Sequence, residues 1–286
     1  MKKWIKVILA VLIVVVFFRA MLVMTGYTGE TTGIQAPSIA VMEINGQIFD
    51  SKQAIDTLKK YKENPLVEGV VIKVDSPGGA VTPSMEIYDY ILTLGKPVYA
   101  AMGSVAASGG YLISLGADSI YAEPSTITGS IGVIMNLINT QELMDKIGIK
   151  SVVLKSGEFK DSGSPARQMT EKDKEVLNQV LMDMYYQFTD IVIQRRGLSK
   201  EKVMALADGR IYTGKMAQSN GLVNNLGSWE KAVKDMKAKL NKEDLETYIE
   251  PKEKTILEKL TEATSNTELN KMITTKTGFF YLAEIY

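Results

Sequence analysis

From residue 38 onward, short apolar runs alternate with stretches of helical spacing. Residues 38–44 (SIAVMEI) read as a strand, and 67–76 (VEGVVIKVDS) is a short, mostly apolar run of the kind found in buried strands. Between them, residues 51–63 place Ile55, Leu58 and Tyr61 on one face of a helix. The same reading predicts a helix from about Pro83 to Gly95, a strand over 96–102 (KPVYAAM), a helix over 106–115 and a strand over 118–124 (DSIYAEP). Strands separated by helices argue for βαβ units and an α/β fold. Past residue 168 the period becomes helical. Residues 169–197 carry Leu177, Leu181, Met184, Phe188 and Ile191 on one face, which reads as core packing. Thr170 with Asp173 resembles a capping box, and Gly197 is a helix stop. Ser199 N-caps a following helix, with Leu198 and Val203 placed for a hydrophobic staple. After about Trp229 the chain is charge-rich and reads as a solvated helical surface broken at Pro251. An apolar, aromatic tail (KTGFFYLAEIY) ends it.

The N-terminus has a different pattern. Lys2, Lys3 and Lys6 precede the stretch 7–24, which is apolar apart from Arg19. At ~1.5 Å per residue it approaches the lower limit for a membrane span. Arg19 lies near the outer end, where its side chain reaches the interface. The basic flank predicts a cytoplasmic N-terminus and a domain on the far side of the membrane. A cleaved signal peptide is the competing reading, but no small-x-small site follows the apolar run, so a retained anchor is expected. Residues 25–37 (TGYTGETTGIQAP) read as a polar linker. The expected organisation is an anchor over 1–24, a linker over 25–37, an α/β domain over 38–230, and a charged helical extension with apolar tail over 231–286.

Composition narrows the chemistry. The 286 residues are 45% hydrophobic, enough for a sizeable core. Thirty-three basic and 33 acidic residues leave no basic excess, so a nucleic-acid partner is not expected. There is no cysteine, which removes disulfides and thiolate metal sites. There is no histidine, which removes the commonest metal ligand and the commonest general base. With no calcium-loop spacing of carboxylates either, no metal or cofactor is expected.

Two glycine-rich turns are the candidate chemistry. DSPGG (75–79) follows a predicted strand, and ASGG (107–110) surrounds Ser108. Glycine lets the backbone come close to a bound group and aim N–H donors at it, so one amide from each turn could form an oxyanion hole beside Ser108. Both turns also suit ordinary strand-to-helix connections. Without histidine, lysine is the remaining base for a serine nucleophile. An ordinary lysine, near pKa 10.4, needs ~3–5 kcal/mol of differential destabilisation to titrate at ~7–8, hence a dry, apolar groove. Pattern alone leaves Lys73, Lys96, Lys155 and Lys160 all open. Asp161 argues against Lys160 unless its carboxylate points elsewhere, because a paired carboxylate would hold the ammonium charged.

Five stretches in order, VVIKVDSPGG, GSVAASGGYLIS, ITGSIGV, KSGEFKDSGSPARQMT and DGRIYTGKMAQSNGLVNNLG, resemble the signal peptide peptidase A family, Ser–Lys peptidases of the ClpP/crotonase superfamily. The resemblance covers roughly 38–230 together with the anchor. It implies repeated ββα/βαβ units of the ClpP/crotonase type with a C-terminal helical region. It implies Ser108 as nucleophile, Lys160 as general base, Ser130 as a serine that orients the lysine, and Gly79 and Gly109 at the oxyanion hole. It further implies a membrane-anchored serine endopeptidase that degrades remnant signal peptides and other apolar segments. Homo-oligomers are implied too, in which one protomer's lysine serves its neighbour's serine. Leu112 and Ser114 stand where an aromatic residue and alanine are more usual, and Asn224 stands where aspartate is. Two other readings remain: a crotonase-type acyl-CoA enzyme and a membrane-tethered scaffold without turnover. The tail over 277–286 is a candidate occupant of the protomer's own groove.

Overall fold

The computed structural model describes residues 33–251. The predicted anchor (1–24), most of the linker and the apolar tail lie outside the described residues. Among those described, no helix is long and apolar enough to cross a membrane.

The elements follow in the order β1 (Ser38–Asn45), α1 (Lys52–Glu63), β2 (Val67–Ser76), α2 (Val81–Leu92), β3 (Val98–Ala107), α3 (Gly109–Ser114), β4 (Ser119–Ala122), β5 (Ile127–Gly129), α4 (Gln141–Lys146), α5 (Glu171–Arg196), α6 (Lys200–Leu206), β6 (Ile211–Thr213), α7 (Gly214–Asn220), β7 (Asn225–Leu226), α8 (Trp229–Leu240) and β8 (Glu246–Ile249). Eight strands form one sheet with the order β6-β5-β3-β2-β1-β8, and β4 pairs with β3 and β7. Every pairing is parallel except β5 with β6.

The central strands are buried on both faces, which is why they read as continuous apolar runs. Alternate residues divide between two layers. Ala40, Met42, Val70, Ile72, Val74 and Ala100 face a core shared with Leu58, Tyr61, Ile87 and Ile113. Ile39, Val41, Val71, Tyr99 and Ala101 face the other way, onto Ala232, Val233 and Met236 of α8. At the local level α5 starts as expected: the Thr170 side chain accepts from the Asp173 N–H, the reciprocal capping bond is present, and Gly197 closes the helix in the left-handed conformation.

Three local expectations are corrected. The helix expected from Pro83 to Gly95 is α2, which starts two residues earlier at Val81 and stops at Leu92. The helix expected over 106–115 begins only at Gly109, because β3 runs on to Ala107. The extension has a tertiary cause: Val105, Ala106 and Ala107 pair with Ile127, Thr128 and Gly129 of β5. A register shift between β2 and β3 accommodates it, and Asp75 Oδ1 accepts the Val105 N–H at 2.9 Å there. The charge-rich stretch after Trp229 is not wholly a solvated helix. After α8 the chain returns as β8, which adds to the free edge of β1. Leu245 and Met236 are buried, so the folded body continues past residue 230.

Candidate active site

The carboxyl ends of neighbouring parallel strands are where an open α/β sheet builds sites, and Gly79, Ser108, Gly109 and Ser130 lie there. β2 ends at Ser76 and leads into the PGG turn, β3 ends at Ala107 and leads into Ser108, and β5 ends at Gly129 and leads into Ser130. The Ser108 N–H donates to Gly129 O at 2.8 Å, and the Ser130 N–H donates to Arg210 O at 2.9 Å. These bonds tie the serine turn to the strand beside it.

Strain marks the same positions. Among the described residues only Ser108, Ser130 and Asn241 have positive φ without being glycine. Two of these three are predicted site residues. Ser108 sits at φ 52° and ψ −120°, immediately before the first turn of α3. A side chain held there costs about 1–3 kcal/mol, so the surrounding bonds must impose the conformation. Its hydroxyl makes no hydrogen bond among the described residues.

Two amides lie beside it. Gly79 forms a parallel bridge with Ile48, in which Ile48 N–H donates to Gly78 O at 3.0 Å and Ala80 N–H donates to Ile48 O at 2.7 Å. A parallel bridge of this kind uses the flanking groups and leaves the central residue's own N–H pointing away from Ile48. The Gly109 N–H opens α3 and has no intrahelical acceptor. The turns touch: a methyl on Gly109 would lie 3.3 Å from Gly79 N. A methyl on Gly78, at φ 104°, would lie 2.7 Å from Gly109 N and 2.9 Å from Ser108 Cβ. Only glycine allows the two turns to approach this closely.

A groove of about 370 Å³ opens over these groups. Its walls include Val81, Ser84 and Met85 from the α2 side, Leu112 from α3, Val133 beyond Ser130, and Met184, Gln187 and Phe188 from α5. The lining is mostly apolar. Met184 and Phe188 belong to the stripe read as core packing. Phe188 is buried, yet both also wall the groove, a role that sequence spacing does not distinguish from packing.

The four candidate lysines separate clearly. Lys73 pairs with Glu43 at 2.5 Å and lies 5.2 Å from the Trp229 ring centroid, on the α8 side of the sheet. Lys96 donates to Tyr61 O and Asn64 O, both at 2.6 Å, where α1 ends. Burial pushes the Lys96 ammonium below its ordinary value, but two carbonyls hold it away from the groove. Lys155 donates to Asp161 Oδ1 at 2.7 Å and to Glu158 O at 2.8 Å. Lys160 is exposed, and its ammonium has no partner among the described residues. Asp161 is directed elsewhere, to Lys155 and Arg167. Lys160 does not line the groove of its own chain. Ser108, Gly79 and Gly109 are therefore brought together within one chain, Ser130 joins them through the Gly129 carbonyl, and Lys160 stands apart.

Sequence reading also missed the ion cluster around Asp161, Arg167 and Asp173. Its signal is an arginine with an acid six residues away on either side.

Comparisons with known proteins place the chain among proteases. Residues 39–127 match Clp protease, which covers β1 to β4 and both glycine turns. A protein of Enterococcus faecium named for signal peptide peptidase SppA is 37% identical over 221 residues, 72% of this chain and 64% of that protein. A Synechocystis protein named as a protease is 39% identical over 197 residues, 68% of this chain and 71% of that protein. The chloroplastic serine protease SPPA of Arabidopsis thaliana is 32% identical over 199 residues, though the match covers 29% of its length. The chain thus spans just under two thirds of the Enterococcus relative. Residues 91–243, more than half the chain and including the serine turn, the lysine loop and α5, match Peptidase family S49, and the chain belongs to that family.

Proposed function

We propose that this chain is a serine endopeptidase in which Ser108 is the nucleophile, the Gly79 and Gly109 amides form the oxyanion hole, and Lys160 of the partner subunit is the general base. The observation that carries the reading is a strained, unbonded serine hydroxyl beside two undonated turn amides at the floor of an apolar groove. Neutral Lys160 takes the proton of Ser108 as its oxygen bonds to the peptide carbonyl carbon. The two amides hold the charge that develops on the carbonyl oxygen. The ammonium then gives its proton to the departing amine, and water repeats the sequence on the acyl-enzyme. Ser130, fixed beside Gly129, orients the incoming amine. The groove suits apolar side chains of an extended peptide, and an anchor over 1–24 would set the chemistry beside membrane-embedded remnants of signal peptides.

A lysine supplied between chains is favoured by its exposure and by what precedes it. From residue 134 to 160 the chain packs little against the body, and α4 within it has no buried residue. Ile134, Ile138, Val152 and Leu154 there are 90%, 72%, 85% and 95% exposed, a large apolar surface for a soluble face. A second copy covering this arm would bury that surface and bring Lys160 toward a neighbouring groove.

The test uses purified full-length chain and an apolar fluorogenic peptide. A fluorophosphonate should label the wild-type chain at Ser108 and leave Ser108→Ala unlabelled. Ser108→Ala and Lys160→Ala should each abolish cleavage, and mixing the two inactive chains should restore it. Labelling at another residue, or wild-type cleavage by Lys160→Ala, would overturn the dyad. No rescue on mixing, with both chains assembled, would overturn the shared site.

A further inference from the structure

Lys160 has acidic neighbours on both sides, Glu158 and Asp161, and either is close enough in sequence to pair with a free ammonium. Both are already engaged. Glu158 Oε1 accepts from Lys172 at 3.1 Å. Asp161 Oδ1 accepts from Lys155 at 2.7 Å. Arg167 then grips Asp161 with two nitrogens, Nε to Oδ2 at 3.0 Å and Nη2 to Oδ1 at 2.9 Å. It also reaches Asp173, Nη1 to Oδ2 at 2.6 Å and Nη2 to Oδ1 at 3.1 Å, and donates to the carbonyls of Gln168 and Asp161.

Asp173 is the anchor of this arrangement. It is 2% exposed and sits in the first turn of α5. It also accepts from Ser162 Oγ at 2.5 Å, from the Thr170 N–H at 2.9 Å and from the Thr170 hydroxyl at 2.8 Å. One guanidinium therefore joins the residue after Lys160 to the start of the helix that walls the groove. A planar, permanently charged fork with five N–H groups suits two carboxylates at once; an ammonium does not offer that geometry.

We propose that Arg167 is a positioning residue for Lys160: by occupying Asp161 and tying it to Asp173, it keeps that carboxylate from pairing with the neighbouring amine and presents the amine free to act on Ser108. This rests on the Ser–Lys reading above. The charged groups facing the loop are Lys155, Glu158, Asp161, Arg167, Lys172 and Asp173, and among them Arg167 is the one that touches both aspartates. Without it, Asp161 retains Lys155 alone and Lys160 competes for the freed oxygen.

The experiment measures kcat/KM against pH from 6 to 10 on an apolar fluorogenic peptide, with melting temperature as the folding control. Arg167→Met should lower activity at neutral pH and move the rising limb upward by about 0.5 pH unit, the size expected of an exposed ion pair. Adding Asp161→Asn to that background should return the limb to its wild-type position. A purely structural role would lower the plateau without moving the limb, and the double variant would not correct it. Arg167→Lys should keep the limb near wild type while the plateau falls. An unmoved limb in folded Arg167→Met, or no return in the double variant, overturns the proposal. Should Arg167→Met fail to fold, Asp161→Asn alone decides. Its limb should stay in place, and a downward shift would mean that Asp161 acts on Lys160 in the native chain. Lys160→Ala separates the two ideas. If it keeps activity, the dyad reading fails; if it is inactive while Arg167→Met leaves the limb unmoved, the role of Arg167 alone fails.

Discussion

Replacing Ser108 by glycine should make the protein inactive and more stable, and the comparison with Ser108→Ala isolates the reason. Both variants lack the hydroxyl, so they differ only in the presence of Cβ. The backbone at Ser108 has φ 52° and ψ −120°, the mirror image of ordinary polyproline-like backbone. Glycine adopts that conformation as readily as its mirror image, whereas a residue with Cβ pays about 1–3 kcal/mol. Against this, glycine loses more freedom on folding than alanine, at a cost of about 0.5–1 kcal/mol. The balance favours Ser108→Gly over Ser108→Ala by about 1 kcal/mol, or about 2–4 °C in Tm for a domain of roughly 200 residues. Urea unfolding and thermal scans of the two full-length variants measure it directly. If Ser108→Ala proves as stable as Ser108→Gly, the turn is not under strain, and the argument that bonds to Gly129 and the α3 helix impose this geometry fails.

Gly78→Ala would drive a methyl against Gly109 N and Ser108 Cβ, so the turn must shift and misplace its donors; kcat should fall by about 10²–10³, and an unchanged kcat would remove the turn from the site. Met184→Ala enlarges the groove wall, so cleavage profiles on a peptide library should shift toward longer apolar side chains by about tenfold or more, while an unaltered profile would exclude this wall from substrate contact. Arg167, Ser162 and the Thr170 N–H hold the Asp173 carboxyl well below the usual carboxylate range, and Arg167 and Lys155 do the same for Asp161. The native state keeps both ionised where the unfolded chain takes up protons, so their contribution is complete above about pH 4 and is lost progressively below it. Urea unfolding from pH 6 to 3 should show a shallower acid decline in Asp173→Asn than in wild type, and equal slopes would refute the assignment.

The features legible in the sequence were those whose cause is local. The run over 67–76 identified β2 at its observed bounds because a strand buried on both faces has no polar alternation to blur it. Thr170 and Asp173 identified the start of α5 because both partners of the cap lie within one helical turn. The order of the five motifs pointed to Ser108 and the glycine turns, which the fold then placed together.

What the chain's local pattern left undecided was settled by contacts between distant segments. Ala106 and Ala107 have no periodicity of their own, and pairing with β5, about twenty residues later, keeps them in a strand and fixes Ser108 on its turn. The stretch at 246–249 is polar enough to read as solvated surface, but the open edge of β1 recruits it as a strand. Pattern alone left four lysines open; Lys73 is held by Glu43 and Trp229 and Lys96 by the carbonyls of Tyr61 and Asn64, all distant in sequence, while Lys155 is held within its own loop by Asp161 and the Glu158 carbonyl. Periodicity and capping follow from bonds within a few residues, so sequence determines them. The ionic partner of a side chain and the wall of a groove depend on which distant segments the sheet brings side by side, and only the tertiary structure decides that.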